Sequence, residues 1–443
     1  NAIRRPGEGL PQTILCSTPE HFYRKQIYPM TAETNPKKNN GALAGVRVLD
    51  LSRVLAAPSC TQILGDMGAD VIKVERPGVG DEIRGWGPPF LRDANGNETG
   101  ESGYYLSTGR NKRSITIDMS KPEGSDLIRK LLAQSDVLVE NFKVGNLAKF
   151  SLDYDSIRNE FPNIVYCSVT GYGQNGPYAD RPGYDMAAQG LGGLLSITGE
   201  PDGPPAKVPI AVNDVITGLY AAISILTALR HRDLTGEGQH IDLALLDVQV
   251  AWLYNQAVNY FLDGQIPTRL GTGHPNIVPY QVFEASDGHI ILGTANEEAF
   301  RRFCDFTGRA DLLEDPRFKT NADRVRNRAT VNAAVQLIVS EKAMDYWVEE
   351  LSQLSIVCSR VNTIDQVFED PQVQARNMVI ETSHPLAGSQ LCRLVANPIK
   401  FSTTPVEYRY APPTLGQHTD EILSEVLGVN EETRHALKTK GII

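Results

Sequence analysis

Apolar and polar positions between residues 46 and 75 follow two different periods in turn. The apolar run at 46–49 is typical of a buried strand, and apolar residues then recur at helical spacing over 63–67. A second run with high β propensity follows at 71–74. Strand, helix and strand in this order predict a βαβ unit, and therefore a parallel sheet.

The same alternation continues along the chain. The sequence predicts strands at 114–119, 136–142 and 164–173, a helix over 123–135 that begins near a proline, and helical segments around 144–160. An apolar helix at 215–232, expected to be buried, precedes a strand at 239–245 and a helix through 244–262. Strands that alternate with helices predict an α/β fold with a doubly wound parallel sheet.

The pattern changes from about residue 276, where short strands are followed by helices near 297–308 and 330–353. We therefore expect a large α/β domain over 41–262 and a smaller α+β domain over 276–375. A predicted helix at 415–428 belongs to a segment, 390–443, that we expect to return to the large domain. Residues 1–40 are polar and without a clear period, and they predict a flexible lead-in.

Composition and charge exclude several classes of protein. The chain has 443 residues, of which 41% are hydrophobic, enough for a large core and two or three domains. A net charge of -10 argues against general binding to nucleic acid or to an acidic membrane. The apolar runs are too short or too charged for a transmembrane helix. Six widely spaced cysteines and eight histidines without ligand spacing indicate no metal site and no disulfide framework.

The loop after the first predicted strand, residues 51–60, contains no glycine. A GxGxxG grip on a dinucleotide is therefore not expected, and nicotinamide and flavin chemistry become less favoured. Basic residues instead lie at or near the strand ends, where ligands of parallel sheets bind, and they suit a ligand with several phosphates. A solvated, ion-paired surface is the alternative interpretation. The residues are Arg53, Lys73, Arg76, Arg84, Arg110, Lys112 and Arg113.

Asp214 stands directly before the predicted apolar helix. One interpretation is a helix N-cap, since a carboxylate oxygen accepts the unpaired N–H groups of a first turn. The other is a nucleophile that the helix dipole keeps ionised, because the ionised form attacks carbonyls. His274 lies in a glycine-containing loop and is a weaker candidate for chemistry.

Several long blocks of this sequence are similar to the class III CoA-transferases. The blocks are 46–86, NKRSITIDM (111–119), DVLVENF (136–142), the DGPP turn followed by Asp214, TGEGQHIDLALLD (235–247) and LGQHTDEIL (415–423). The resemblance runs from about residue 43 to the C-terminus. It implies a Rossmann-like large domain, a smaller domain and a homodimer of two interlocked chains.

The resemblance also implies the chemistry. Asp214 would be the nucleophile, an acyl-CoA thioester the co-substrate with no tightly bound cofactor, and a free dicarboxylic acid the acceptor. Within the family, the chain resembles in particular members that move CoA from succinyl-CoA to glutarate in the mitochondrial matrix. A basic N-terminal stretch whose presequence has been removed is compatible with that location.

The site residues carried over from the family fall into two sets. Those expected to bind CoA are Val54, Arg76, Ile117, Asn141 and Lys149, and those expected near the acid are Tyr104, Tyr184, Gly271, Gly273 and His274. Leu55 stands where some members have Gln, and Lys149 where Arg is found. The 271–274 loop has only two glycines, Gly271 and Gly273, which flank Thr272. These three differences bear on the acid preference and on the closure of the loop.

A dicarboxylate needs a fixed cation for its distal carboxylate. Arg110 is the leading candidate, with Arg53 and Arg181 behind it. Two other functions stay open: a 2-methylacyl-CoA racemase and a CoA-binding scaffold without catalysis. Racemases of this scaffold place a His before the Asp of the GYD motif, whereas this chain has Tyr184, whose hydroxyl is a poor proton shuttle at neutral pH.

Overall fold

The computed structural model describes residues 39–443, so the prediction for residues 1–40 lies almost wholly outside the described part. The strands are β1 (Arg47–Asp50), β2 (Asp70–Glu75), β3 (Phe90–Arg92), β4 (Glu98–Ser102), β5 (Lys112–Thr116), β6 (Val137–Glu140), β7 (Val165–Thr170), β8 (Gln239–Ala244), β9 (Tyr280–Ala285), β10 (Gly288–Gly293), β11 (Val357–Arg360), β12 (Val379–Ser383) and β13 (Leu391–Val395).

Helices occupy much of the rest of this range. They are α1 (Ala56–Asp66), α2 (Gly103–Gly109), α3 (Pro122–Leu132), α4 (Tyr154–Ile157), α5 (Asp185–Leu191), α6 (Leu194–Ile197), α7 (Val212–Thr235), α8 (Leu245–Ala251), α9 (Tyr254–Asp263), α10 (Glu297–Phe306), α11 (Ala310–Glu314), α12 (Asn321–Arg326), α13 (Arg328–Val339), α14 (Met344–Gln353), α15 (Ile364–Glu369), α16 (Pro371–Ala375), α17 (Thr419–Glu425) and α18 (Glu431–Thr439). Short 3-10 helices lie at Glu82–Gly85 and Leu147–Phe150.

The central sheet has six strands in the order β5-β2-β1-β6-β7-β8, and every neighbouring pair is parallel. The predicted α/β class with a parallel sheet is therefore confirmed. The chain adds strands to one side of β1 and then, from β6 onward, to the other. The order reverses between β1 and β6, and the carboxyl ends of such a pair frame a crevice where ligands of open α/β sheets bind.

Both faces of this sheet are covered by helices. Successive residues of a strand point to opposite faces, so Val48 packs with α1 and α7, whereas Leu49 packs with α3 and the C-terminal helices. Ile422 and Leu437, from α17 and α18, belong to that second core. The end of the chain thus returns to the central sheet and covers one of its faces.

A second sheet has its own core. Strands β9, β10 and β11 form an antiparallel sheet, and Phe283 and Ile290 pack there with Phe303 of α10 and Val335 of α13. Strands β12 and β13 pair separately as an antiparallel hairpin.

Two parts of the sequence-based description need correction. The sequence predicts no strand between the runs at 71–74 and 114–119, but this stretch contains the β3–β4 hairpin and leads into α2. Helix α7, expected to be buried, is buried on one side only, because Leu219 and Ile223 on its other side are exposed. Within the described residues, α7 alone is long and apolar enough to span a membrane by length and composition, and half of its most apolar window is buried inside the protein.

Candidate active site

The loops after β1 and β6 are locked together at the point where the strand order reverses. The Arg53 N–H donates to Asn141 Oδ1 at 2.8 Å, and Asn141 Nδ2 donates to the Arg53 carbonyl at 2.7 Å. These residues follow the carboxyl ends of two adjacent parallel strands, which is why side chains far apart in sequence meet here. The crevice between the two loops is thus rigidly framed.

Val54 continues the first loop in an uncommon backbone conformation. Its φ is 67°, a left-handed value that a β-branched residue rarely adopts. Its N–H lies 3.2 Å from both carboxylate oxygens of Asp81. The turn leads directly into α1, whose N-cap residue Leu55 has no side-chain capping bond.

The other candidate CoA residues follow neighbouring strands. Arg76 is exposed directly after β2, and Ile117, directly after β5, is buried and donates its N–H to the Glu75 carbonyl at 2.8 Å. Lys149 is exposed on the 3-10 helix after β6, where its Nζ lies 3.1 Å from Asn146 Oδ1. Val54, Arg76, Ile117 and Asn141 therefore all follow the carboxyl ends of the four strands β5-β2-β1-β6.

Most of the predicted basic patch is buried in ion pairs rather than open to a ligand. Lys73 pairs with Asp81, and Lys112 pairs with Asp50. Both pairs belong to a larger set of buried pairs that also includes Arg84 with Glu75 and Glu101, Arg110 with Asp66, and Arg113 with Asp70. Arg53 and Arg76 are the exposed members of the predicted patch, so the interpretation of seven phosphate-facing cations is wrong for the other five.

Arg110 is held by its own structural partners. Its Nε and Nη2 donate to the two Asp66 oxygens at 3.0 and 2.7 Å, and its Nη1 donates to the Val395 carbonyl at 2.9 Å. The side chain is buried against α1 and the β13 strand. This engagement argues against the sequence-based hypothesis that Arg110 holds a substrate carboxylate.

Asp214 lies inside the first turn of α7 and is not its N-cap. The cap position is Ala211, so the N-cap interpretation is wrong, and the capping carboxylate comes from elsewhere. Asp185 Oδ1 accepts the N–H groups of Asn213 at 2.8 Å and Asp214 at 3.3 Å. No donor in the described part of the chain bonds the Asp214 carboxylate, which is 9% exposed.

The electrostatics of this carboxylate differ from the expectation of a dipole-stabilised anion. Burial, followed by the negative charge of Asp185, raises the pKa of Asp214 to about 7. Desolvation outweighs the helix dipole because the carboxylate has lost water without gaining a donor. A carboxylate of this kind is poised between its neutral and nucleophilic forms near physiological pH.

Close packing fixes where Asp214 lies relative to α1. A Cβ on Gly218 would come within 2.7 Å of the Ala56 carbonyl, so the backbones of α7 and α1 touch there. Both helices run antiparallel to the sheet strands, and Asp214 is one turn before Gly218. Asp214 therefore lies near the amino-terminal end of α1, about one helical turn from the contact between Gly218 and Ala56.

Tyr104 belongs to the same site. It lies in α2, and burial, followed by the charges of Asp214 and Asp185, raises its pKa, which keeps its hydroxyl protonated. Its ring packs edge-to-face against the ring of Trp86, and the two ring centroids are 5.5 Å apart. Tyr184 occupies the N-cap position of α5, directly before Asp185, but its side chain makes no capping hydrogen bond and is largely exposed.

The 271–274 loop is built into a different set of contacts. Gly271 has a φ of 57° and donates its N–H to the Gly199 carbonyl at 2.9 Å. Gly273 packs near the guanidinium of Arg328, and His274 stacks on Tyr280 at 5.5 Å. Burial and then Arg328 lower the pKa of His274, which favours a neutral imidazole.

Sequence reasoning missed three residues that shape the site: Asp185, Asp81 and Trp86. Asp185 follows Tyr184 in the GYD motif, and its position as the first residue of a short helix was the available signal. Asp81 lies in a Gly- and Asp-rich stretch, where nothing local shows that it binds Val54. No cluster of metal-ligating side chains occurs within residues 39–443.

The chain is similar over most of its length to known proteins. Residues 43–419 match the family description CoA-transferase family III. The chain is 45% identical to the succinate–glutarate CoA-transferase of Agrobacterium fabrum over 87% of this chain and 95% of that protein. It is 40% identical to the succinyl-CoA:glutarate CoA-transferase of Homo sapiens over 90% of each. The crystal structure of a CAIB/BAIF family protein from Brucella suis superimposes with a TM-score of 0.76 and 43% identity, covering 87% of this chain and all of that one.

Proposed function

This chain belongs to CoA-transferase family III, and from this premise we propose that it moves CoA from succinyl-CoA to glutarate through covalent intermediates on Asp214. Relatives at 40–45% identity carry the names of succinate and glutarate CoA-transferases. The observation that carries the proposal is the position of Asp214: it is a buried carboxylate that no donor within residues 39–443 bonds, and it lies near the amino-terminal end of α1, whose N-cap has no side-chain capping bond.

The first half of the reaction forms and then resolves an anhydride. The ionised Asp214 attacks the thioester carbonyl of succinyl-CoA, the carbon–sulfur bond breaks, and CoA leaves as its thiolate. The product is a mixed anhydride between succinate and Asp214. The thiolate then attacks the Asp214 carbonyl, releases succinate and forms an aspartyl-CoA thioester.

The second half runs the same steps in reverse with the new acid. A glutarate carboxylate attacks the aspartyl thioester and expels CoA thiolate, which then attacks the glutaryl carbonyl. Glutaryl-CoA forms and Asp214 is regenerated as a carboxylate. Thioester and anhydride are both activated toward water, so a buried nucleophile protects them from hydrolysis.

The crevice between the β1 and β6 loops is the proposed CoA site. Arg76 and Lys149 would face phosphates, and Asn141 would contact the pantetheine or the base. Phosphate binding at two exposed cations is compatible with an acidic protein because the basic groups are local. The strand order β5-β2-β1-β6-β7-β8 supports a Rossmann-like domain, in which ligands bind where the order reverses, here between β1 and β6.

The test is to trap the enzyme intermediate. Protein incubated with succinyl-CoA and then reduced with borohydride should yield a peptide in which Asp214 has become an alcohol, as read by mass spectrometry. Asp214→Asn should show neither the trapped peptide nor glutaryl-CoA formation, whereas Asp202→Asn, in the exposed turn of the same segment, should show both. An unmodified Asp214 peptide in fully active protein would overturn the mechanism.

Racemisation of a 2-methylacyl-CoA is the second candidate. It requires an acid/base pair across the α-carbon, and Tyr184 has a largely exposed side chain in place of the expected His. Incubating the protein with one epimer in deuterated water separates the functions. Deuterium at C2 without a free acid acceptor would support the racemase.

We also propose that the protein is a homodimer. Helix α9 has no buried residue, and Tyr254, Phe261 and Leu262 are each more than 75% exposed. Apolar faces of this kind mark protein interfaces, and those of α7 and α9 together suit a second copy of the chain. Light scattering should give twice the chain mass. Phe261→Glu with Leu262→Glu should lower it, whereas Leu337→Glu, an isolated exposed residue on α13, should not.

A mitochondrial matrix location is proposed from the basic, Ser/Thr-containing N-terminal stretch. Isolated mitochondria from source cells should contain the protein, and it should resist added protease until the inner membrane is ruptured, as expected for a protein of the matrix. Recovery in the cytosolic fraction would contradict the proposal.

A further inference from the structure

Residues 52–54 are held at three consecutive positions by three different elements. The Ser52 carbonyl accepts from Lys73 Nζ at 2.6 Å, Arg53 exchanges two bonds with Asn141, and the Val54 N–H is bound by Asp81. A turn tied residue by residue in this way is over-determined. That is the condition under which an unfavourable backbone conformation persists.

Val54 is the residue that needs this support. A non-glycine residue in the left-handed region crowds its Cβ against the backbone, and branching at Cβ adds to the crowding. Val54 is also the residue before the N-cap of α1. Relaxation of its φ would therefore change the direction in which α1 begins.

Asp81 is itself held firmly. It is 2% exposed, its carboxylate lies 3.2 Å from Lys73 Nζ, and its N–H donates to Glu75 Oε1 at 3.0 Å. Lys73 thus ties both sides of the turn, since it bonds Ser52 directly and Val54 through Asp81. Asp81 also accepts the Ile83 N–H at 3.3 Å, which begins the adjacent 3-10 helix.

We propose that Asp81 is a positioning residue for the transfer reaction: by holding the Val54 N–H it maintains the left-handed turn that directs the open first turn of α1 toward Asp214. The inference rests on the proposed function, because it assigns the acyl-CoA to the space between α1 and Asp214. Asp81 does not touch the substrate. It acts through the backbone of Val54.

The experiment is a set of variants that separates backbone strain from side-chain loss. Asp81→Asn should raise the KM for succinyl-CoA because the turn is no longer held by a charged acceptor. Combined with Asp81→Asn, Val54→Gly should give a KM about 5- to 30-fold lower than Val54→Ala, since glycine adopts the left-handed region without the cost that alanine has. With Asp81 intact, the two Val54 variants should have similar KM values.

The matched control is Asp66→Asn. Asp66 is a fully buried, ion-paired carboxylate at the other end of α1, so its loss should lower thermal stability without raising the KM for succinyl-CoA. Equal KM values for the two double variants would overturn the proposal. So would a KM increase in Asp66→Asn as large as that in Asp81→Asn.

Two further measurements keep the outcome decisive. If Asp81→Asn does not fold, the Val54→Gly and Val54→Ala variants can still be compared with Asp81 present. A large difference between their KM values would contradict the proposal, because it would show that Asp81 does not hold the turn in the left-handed conformation. Calorimetric binding of CoA alone repeats the comparison without turnover. Wild-type protein that binds CoA but transfers none would refute the proposed function, while the variant pattern in CoA affinity would still decide the role of Asp81.

Discussion

Asp185 and Asp214 are joined through the start of α7: the Asp185 carboxylate accepts the N–H of Asp214 at 3.3 Å and that of Asn213 at 2.8 Å. Asp185 thereby fixes the helix from which Asp214 projects. Its negative charge also opposes ionisation of Asp214, after the larger effect of burial. Asp185 therefore fixes the position of the proposed nucleophile and adds to the effect of burial on its pKa.

The first prediction concerns the pH dependence of transfer. Because attack needs the ionised carboxylate, kcat/KM should rise as pH increases through about 7, the pKa of Asp214. Asp185→Asn should move this rise to lower pH, since the amide oxygen can still cap α7 but carries no charge. Gln189, which now donates to Asp185 at 2.6 Å, can turn its unpartnered Oε1 toward the new amide.

The steady-state kcat/KM for succinyl-CoA, measured from pH 5.5 to 8.5 by the formation of glutaryl-CoA, would check this prediction. Asp180→Asn, exposed in the preceding loop, is the control and should leave the profile unchanged. A profile of Asp185→Asn that coincides with that of the wild type would show that another group governs the acid side.

The second prediction concerns stability. Asp214 has a folded-state pKa of about 7 against an ordinary value of 3.8, so the folded protein binds more protons than the unfolded chain between these values. The protonated Asp214 side chain therefore stabilises the folded protein at low pH. This contribution to the free energy of unfolding is lost as pH rises through about 7. Asp214→Asn, which cannot ionise, should raise Tm relative to wild type at pH 8, and by less at pH 5.

Differential scanning calorimetry at both pH values would test this. Asp202→Asn should give no pH-dependent difference, because that side chain is exposed. An equal Tm gain at the two pH values would show that the gain does not come from the ionisation of Asp214.

Much of the fold could be predicted because its determinants are local. The runs at 46–49 and 71–74 and the helical spacing between them correspond to β1, β2 and α1, and Pro122 is the first residue of α3. The hairpin β3–β4 was missed because β3 has only three residues and because β4, whose residues are Glu, Thr, Gly, Glu and Ser, has no apolar side chain to alternate. The exposed side of α7 was missed because apolar residues occur on all sides of this helix. Its sequence therefore does not show which of these residues pack against the rest of the chain and which remain exposed.

The site was less predictable because its contacts are between distant segments. Asn141 and Val54 could be carried over by resemblance, but the bonds of Asn141 to Arg53 depend on strand order. Likewise, a sequence can show that Arg110 lies near a strand, but not that Asp66 binds it. Burial of Asp214 reversed the expected direction of its pKa for the same reason, since desolvation depends on everything that packs around it.

The third prediction concerns Asn141. Asn141→Ala removes two hydrogen bonds to Arg53, each worth about 0.5–1.5 kcal/mol, so the KM for succinyl-CoA should rise by about 5- to 150-fold if both are needed to frame the crevice. The KM for glutarate should change much less. Asn95→Ala, in an exposed turn, is the control, and steady-state kinetics with each substrate varied would check the split. Equal changes in both KM values would contradict a specific role in CoA binding.

The last prediction separates two roles for Arg110. Because its guanidinium binds both oxygens of the buried Asp66, Arg110→Met should leave an uncompensated charge and cost about 3–5 kcal/mol of the free energy of unfolding. Asp66 also accepts from Asn111 and Asn397, so the loss should loosen the contact between α1 and the C-terminal part of the chain.

Arg129→Met is the matched control for that variant. Arg129 pairs with Glu160 at the surface, where an ion pair contributes at most about 1 kcal/mol. Urea unfolding measures both costs. Turnover with glutarate relative to a monocarboxylate, measured below the unfolding transition, should be unchanged in Arg110→Met. A fall in that ratio would show that Arg110 reaches the acid, because a purely structural arginine affects how much protein is folded and not which acid the folded protein selects.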